Sequence, residues 1–153
     1  WFVDEVQYVS NANEEIEAIH GLNPQQTAVV DKKFESIVKS IPSDAMDTIE
    51  LVTYEPNYLK YEIDSKKGGT VVFSEIYYPG WQSTIDGQEA AHGRANYILR
   101  TMNVPAGKHV VEFRFDPKSL HTTETIAFIA LGLLALLAVV VIVMKIKACR
   151  KVG

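Results

Sequence analysis

Three patterns of hydrophobic and polar positions follow one another along the chain. Residues 1–46 are mixed. Trp1 to Val9 has the β-branched and aromatic content of a strand. Asn11 or Asn13 can cap a short helix running to about Gly21, with Glu14 and Glu15 at its positive end and Ile16 and Ile19 toward the core. Thr27 to Val30 is a second short strand, and Phe34, Ile37, Val38 and Ile41 fall at helical spacing before Pro42. From residue 47 the period changes to two. Ile49, Leu51 and Thr53 alternate with Glu50, Val52 and Tyr54, and Leu59, Tyr61 and Ile63 alternate with Lys60, Glu62 and Asp64. Strands are also predicted over Thr70–Tyr78, Trp81–Ile85, Tyr97–Val104 and Lys108–Phe115. Their breaks fall at Pro56-Asn57, Lys66-Lys67-Gly68-Gly69, Pro79-Gly80, Asp86-Gly87 and Pro105-Ala106-Gly107. Turns at this spacing with no long helix between them predict a mainly β protein. The expected fold is an antiparallel β-sandwich, jelly-roll or immunoglobulin-like, over residues 47–120, packed with a small α/β opening section at 1–46 as one outer domain.

The third pattern is an apolar run. Ile126 to Met144 is 19 residues without a charge. At about 1.5 Å per residue such a helix just covers a hydrocarbon core of about 30 Å. A transmembrane helix is therefore predicted over 125–144, with a basic tail at 145–153. Lys145, Lys147, Arg150 and Lys151 follow the run, whereas His121-Thr122-Thr123-Glu124 precedes it. The positive-inside rule then places the tail in the cytoplasm and residues 1–124 outside it. The small residues of the run never fall four apart, so the usual close-packing motif between spanning helices is missing. A domain outside needs an export signal or earlier spanning helices, and the chain begins at Trp1 with neither. It reads as the C-terminal piece of a longer protein, with upstream transmembrane helices as partners.

Charge sharpens this division. Residues 1–124 carry 11 basic and 19 acidic side chains, a net of −8, and residues 125–153 carry four basic and no acidic ones. An acidic domain argues against a nucleic-acid partner, which needs clustered Lys and Arg. The single cysteine, Cys149, excludes an intrachain disulfide framework and a cysteine-built zinc site.

No catalytic signature is present: there is no Gly-rich phosphate loop, no metal-spaced His pair and no nucleophile elbow. No catalytic, cofactor-binding or metal-binding residue is assigned, and no cofactor is expected. His20, His92, His109 and His121 read as surface or turn residues. Asp86, before Gly87, reads as a turn residue rather than the partner of Glu75 in a carboxylate pair. The densest cluster is aromatic and polar: Glu75, Tyr77, Tyr78, Trp81, Arg94, Asn96, Tyr97 and Arg100. Such a set suits sugar rings, whose faces are apolar and rims hydroxylated, with arginines to hold a phosphate or carboxylate. Glu75, Tyr77, Trp81, Arg94, Asn96 and Arg100 are the candidate glycan or partner contacts. The competing reading has Tyr78, Trp81 and Tyr97 filling the core while Arg94 and Arg100 pair with Glu75 or Asp86.

Five ordered segments carry a resemblance: Ser74-Glu75-Ile76-Tyr77-Tyr78-Pro79-Gly80-Trp81, Ile85-Asp86-Gly87, Arg94-Ala95-Asn96-Tyr97-Ile98-Leu99-Arg100, Val104-Pro105-Ala106-Gly107-Lys108-His109 and Phe113-Arg114-Phe115-Asp116-Pro117. Together they resemble the C-terminal outer domain of YfhO-like bacterial membrane proteins, best over about residues 70–118. The resemblance implies a multi-pass parent similar to the GT-C glycosyltransferases. Such a parent uses a polyprenyl-phosphate-linked sugar and acts on cell-envelope glycans at the bacterial inner membrane. The catalytic acid implied there lies in an early outer loop, so no residue of this chain inherits it. Two other functions fit the same residues: a single-pass surface module binding glycan or protein, and the outer domain of a transporter or flippase.

Overall fold

The computed structural model describes residues 1–149, including the side chains of all of these except 118–120 and 148–149. Arg150 and Lys151 of the predicted basic tail, and the side chain of Cys149, lie outside the described residues. Trp1–Asp116 forms one compact unit, and a second begins at Pro117.

The first unit runs β1 (Phe2–Val3), β2 (Glu5–Val9), α1 (Ala12–Ile19) and β3 (Thr27–Asp31), then a 3-10 turn at Lys32–Phe34. It continues with β4 (Thr48–Glu55), β5 (Tyr58–Ser65), β6 (Gly69–Ile76) and β7 (Trp81–Ile85). The last strands are β8 (Gln88–Glu89), β9 (Gly93–Ala95), β10 (Leu99–Val104) and β11 (Gly107–Phe115). They form two sheets, ordered β1-β6-β10-β9-β3-β2 and β4-β5-β11-β7-β8. Pairing is antiparallel except between β2 and β3, which run parallel with α1 as their crossover. The chain is mostly β, in two antiparallel-rich sheets, and its opening section supplies three strands of the first.

Burial follows from this layering. Leu59, Tyr61 and Ile63 of β5 and Val111 and Phe113 of β11 meet Val71, Phe73, Met102 and Val104 between the sheets. The rings of Tyr61, Phe73 and Phe113 pack edge to face at 4.8–6.2 Å, the offset that aromatic quadrupoles favour. The opposite face of the first sheet is covered too: Val6, Ala28, Val30, Val72 and Ala95 pack with Phe34 and Val38. Hence β6 is buried without a break from Gly69 to Phe73, a continuous apolar strand rather than an alternating one. Gly93 is required by this layer, since a Cβ there would lie 2.9 Å from Val38 Cγ2.

Asn11 caps α1, its side chain accepting from the amides of Asn13 and Glu14. The helix is rotated from the expected setting: Ile16 is exposed and Glu15 is fully buried. The helical spacing at 34–41 yields only the 3-10 turn and the bonds from Ile37 and Val38 back to Phe34. Strand β10 starts at Leu99 rather than Tyr97, because Asn96 and Tyr97 have positive φ. Asp86 and Gly87, with φ of 51° and 79°, are the central pair of the two-residue hairpin joining β7 and β8. The alternation expected for β4 breaks between Leu51 and Thr53, where the register with β5 slips. Leu51, Val52 and Tyr54 are exposed on this edge strand.

In the second unit, α2 spans Lys118–Cys149, and its stretch His121–Lys147 is long and apolar enough to cross a membrane. Its described side chains are exposed all round, so no polar side faces water in preference to another. The strands end at Phe115 and α2 begins at Lys118, inside the 47–120 interval expected for the sandwich and ahead of the 125–144 expected for the helix.

Candidate functional site

The candidate residues divide among three places. Glu75, Trp81 and Arg100 come together in a groove of about 390 Å³, whose walls include Ile76, Tyr78 and Phe115 and whose lip is the Pro56-Asn57 turn. Arg100 arises from β10 and is 1% exposed. Its guanidinium lies 4.0 Å from the Trp81 ring centre and 4.8 Å from that of Phe113. Nε donates to the Ile76 carbonyl at 3.1 Å, Nη2 stands 3.7 Å from Glu75 Oε2, and Nη1 is buried without a hydrogen-bond partner among the described residues. Burial pulls the Arg100 pKa down, against the nearby Glu75 and Tyr61. Burial first, and Glu75 next, push the Tyr61 hydroxyl up to about 12. Trp81 is half-buried and packs against the core between the sheets while also lining the groove, whereas Tyr78 and Tyr97 are exposed.

Arg94 and Asn96 are used elsewhere. The register sets Arg94 of β9 opposite Arg100 of β10, on the same face of the sheet. Its Nη2 donates at 2.7 Å to Oε2 of the buried Glu15, which replaces the expected Glu75 or Asp86 as partner. Oε1 of Glu15 accepts the Tyr97 amide at 2.8 Å. Asn96 Oδ1 accepts the Val29 amide at 2.9 Å, locking this segment to β3. Asn96 also borders a separate hollow beside Trp1, Phe2 and Pro24. Tyr77 turns away from the groove, packing edge-on against Phe34 and His92.

The histidines are less ordinary than their sequence context suggests. His92 is wedged against Tyr77 and Phe113, and its Nδ1 lies 2.7 Å from Ser83 Oγ. Burial, aided by the Arg100 charge, pushes its pKa down to about 4. The Ser83 hydroxyl donates to the Ala90 carbonyl at 2.5 Å, so a neutral His92 must donate from Nδ1 to Oγ. The pair therefore has the wrong proton direction for activating a serine. Periodicity could not find it, because His92 sits in the irregular link before β9. His109 pairs with Asp86 at 2.6 Å, which raises its pKa, while the backbone N–H of Val110 foremost, then His109, lowers that of Asp86. Asp86 is thus both a turn residue and an ion-pair partner. Among the described residues, no group of three His, Cys, Asp or Glu side chains is placed to hold a metal.

No curated protein and no solved structure matches the chain. The family model described as bacterial membrane protein YfhO matches residues 20–127, which takes in strands β3 to β11 and the groove, and reaches into α2. On that match, and with a membrane-length apolar helix after a β unit, the chain belongs to the YfhO family of bacterial membrane proteins.

Proposed function

We propose that Trp1–Asp116 is the non-catalytic outer domain, and α2 the closing membrane anchor, of a multi-pass protein. This parent transfers sugar from a polyprenyl-phosphate carrier to cell-envelope glycans. The observation that carries this reading is the groove of Glu75, Trp81 and Arg100. Tyr78 and Trp81 offer apolar surface for a sugar face, and Glu75 offers an acceptor for its hydroxyls. In this account the groove holds the acceptor glycan, while the catalytic carboxylate belongs to an early outer loop of the parent. Lys145 and Lys147 after the apolar run favour a cytoplasmic C-terminus and an outer domain beyond the bacterial inner membrane.

The test is a transfer assay on the full-length protein in membrane vesicles, given a labelled polyprenyl-phosphate sugar and an envelope-glycan acceptor. Trp81→Ala should raise KM for the acceptor and leave KM for the donor unchanged. Absence of transfer by the wild-type protein would remove the transferase reading. An equal change in both KM values would remove the acceptor role of the groove.

A further inference from the structure

The end of β6 with the link after it, and the Tyr97-Ile98 loop, expose large side chains together at one end of the β unit. Ile76 is 63% exposed, Tyr78 60%, Tyr97 40% and Ile98 48%. Such residues scattered singly need no explanation, but these are clipped together, the Tyr77 amide donating to the Ile98 carbonyl at 2.7 Å.

The Tyr97-Ile98 loop is held under strain. The Ile98 amide bonds to the Asn96 carbonyl at 2.9 Å across Tyr97, whose φ is 72°. This is a γ-turn of the rare positive-φ kind, which a tyrosine adopts only when its surroundings over-determine it. They do so here: Glu15 binds the Tyr97 amide, and Asn96 exchanges hydrogen bonds with Val29 through both its backbone and its side chain. The pair of half-buried Arg94 and fully buried Glu15 thus supports a turn that keeps Tyr97 and Ile98 facing outward.

The chain leaves the β unit at this same end. The Tyr78 and Trp81 rings lie 6.2 and 5.4 Å from that of Phe115, and the Asp116 amide bonds to the Gly80 carbonyl at 2.9 Å. Nine residues, 117–125, separate Asp116 from the uncharged run beginning at Ile126. As a helix they extend about 13 Å, and the polar zone on each side of a hydrocarbon core is itself about 5–8 Å deep. The tether therefore keeps this end within reach of the lipid headgroups.

We infer that Ile76, Tyr78, Tyr97 and Ile98 form a membrane-contacting rim, seated in the headgroup zone of the bilayer that α2 crosses. Tyrosines suit that zone because the ring is apolar and the hydroxyl remains wet. Residues 1–116 carry 10 basic and 18 acidic side chains, so attraction to anionic lipid cannot seat the rim; apolar burial must. The inference rests on the membrane crossing and not on sugar transfer, so each can fail without the other.

The experiment uses the full-length protein in phosphatidylcholine nanodiscs, with Cys149 and any other cysteine replaced by serine. Spin labels are attached to Tyr78→Cys, Ile98→Cys and, at the far end of the unit, Gln88→Cys. Collision with membrane-dissolved oxygen and with an aqueous nickel chelate is then measured. The rim predicts a loss of nickel contact with retained oxygen contact at 78 and 98, and the reverse at 88. Nickel contact at 78 and 98 equal to that at 88 would overturn it. Shielding from both reagents at 78 and 98 would overturn it as well, since protein rather than lipid would then cover the rim.

Discussion

Arg94 and Arg100 face one another across β9 and β10, yet they have different work. Arg94 meets a fully buried carboxylate at 2.7 Å, and the same Glu15 caps the amide of a strained turn. Among the described residues the nearest carboxylate to Arg100 is Glu75, at 3.7 Å; aromatic rings hold its charge, and it borders an open groove. The first arrangement uses its charge internally as a brace. The second leaves binding capacity beside the surface. Two arginines six residues apart in one motif therefore need not serve one site.

The comparison can be broken most forcefully at Glu15. Glu15→Ala would strand a partly buried guanidinium and the Tyr97 amide, so a soluble fragment of residues 1–116 should lose about 3–5 kcal/mol in denaturant unfolding. A loss below about 1 kcal/mol would show that Arg94 is not a brace.

Acid comes next, acting beside Arg100. The His92 pKa is near 4 in the folded chain against an ordinary value of 6.5, so the unfolded chain takes up its proton first as pH falls. Stability should therefore decline between about pH 6.5 and pH 4, by about 3 kcal/mol when the shift is fully expressed. His92→Phe, which keeps a ring against Tyr77 and Phe113, should remove that part of the decline. His109 is shifted the other way, so its contribution is complete below pH 6.5 and fades as pH rises through its raised pKa. His109→Gln should therefore lower stability below that raised pKa and change little above it.

Smaller effects separate groove from core. A core tryptophan would cost about 3–5 kcal/mol on truncation, whereas half-buried Trp81→Ala should cost about 2 kcal/mol, losing chiefly its stacking on Arg100 and Phe115. Arg100→Met should cost about 1 kcal/mol, because an apolar chain of similar length replaces a charge whose ion pair is long. If Arg100→Met costs as much as Glu15→Ala in the same unfolding measurement, the two arginines are equivalent and the contrast fails.

The sequence was most legible where one face is wet. Leu59, Tyr61 and Ile63, alternating with charged residues, mark β5 down to its buried side, and Asp86-Gly87 marks its hairpin through positive φ. Legibility failed where burial is two-sided or polar. Ile16 looked like a core residue because apolar periodicity was the only guide, but α1 turned Glu15 inward, where it pairs with the half-buried Arg94. Strand β9 is three residues long, too short to show a period. Among the candidate contacts, Glu75, Trp81 and Arg100 do meet. Composition groups residues without telling which side of a strand they leave from, so Tyr77, Arg94 and Asn96 went unseparated from them.

The central claim is that this β unit and its membrane helix close a larger membrane protein. The most direct measurement is the intact mass of the native protein carrying residues 1–153, taken from detergent-solubilised membranes. The account predicts a mass several times the 17.1 kDa of this chain. A mass equal to 17.1 kDa, or larger only by a signal peptide, would contradict it and leave a single-pass surface module.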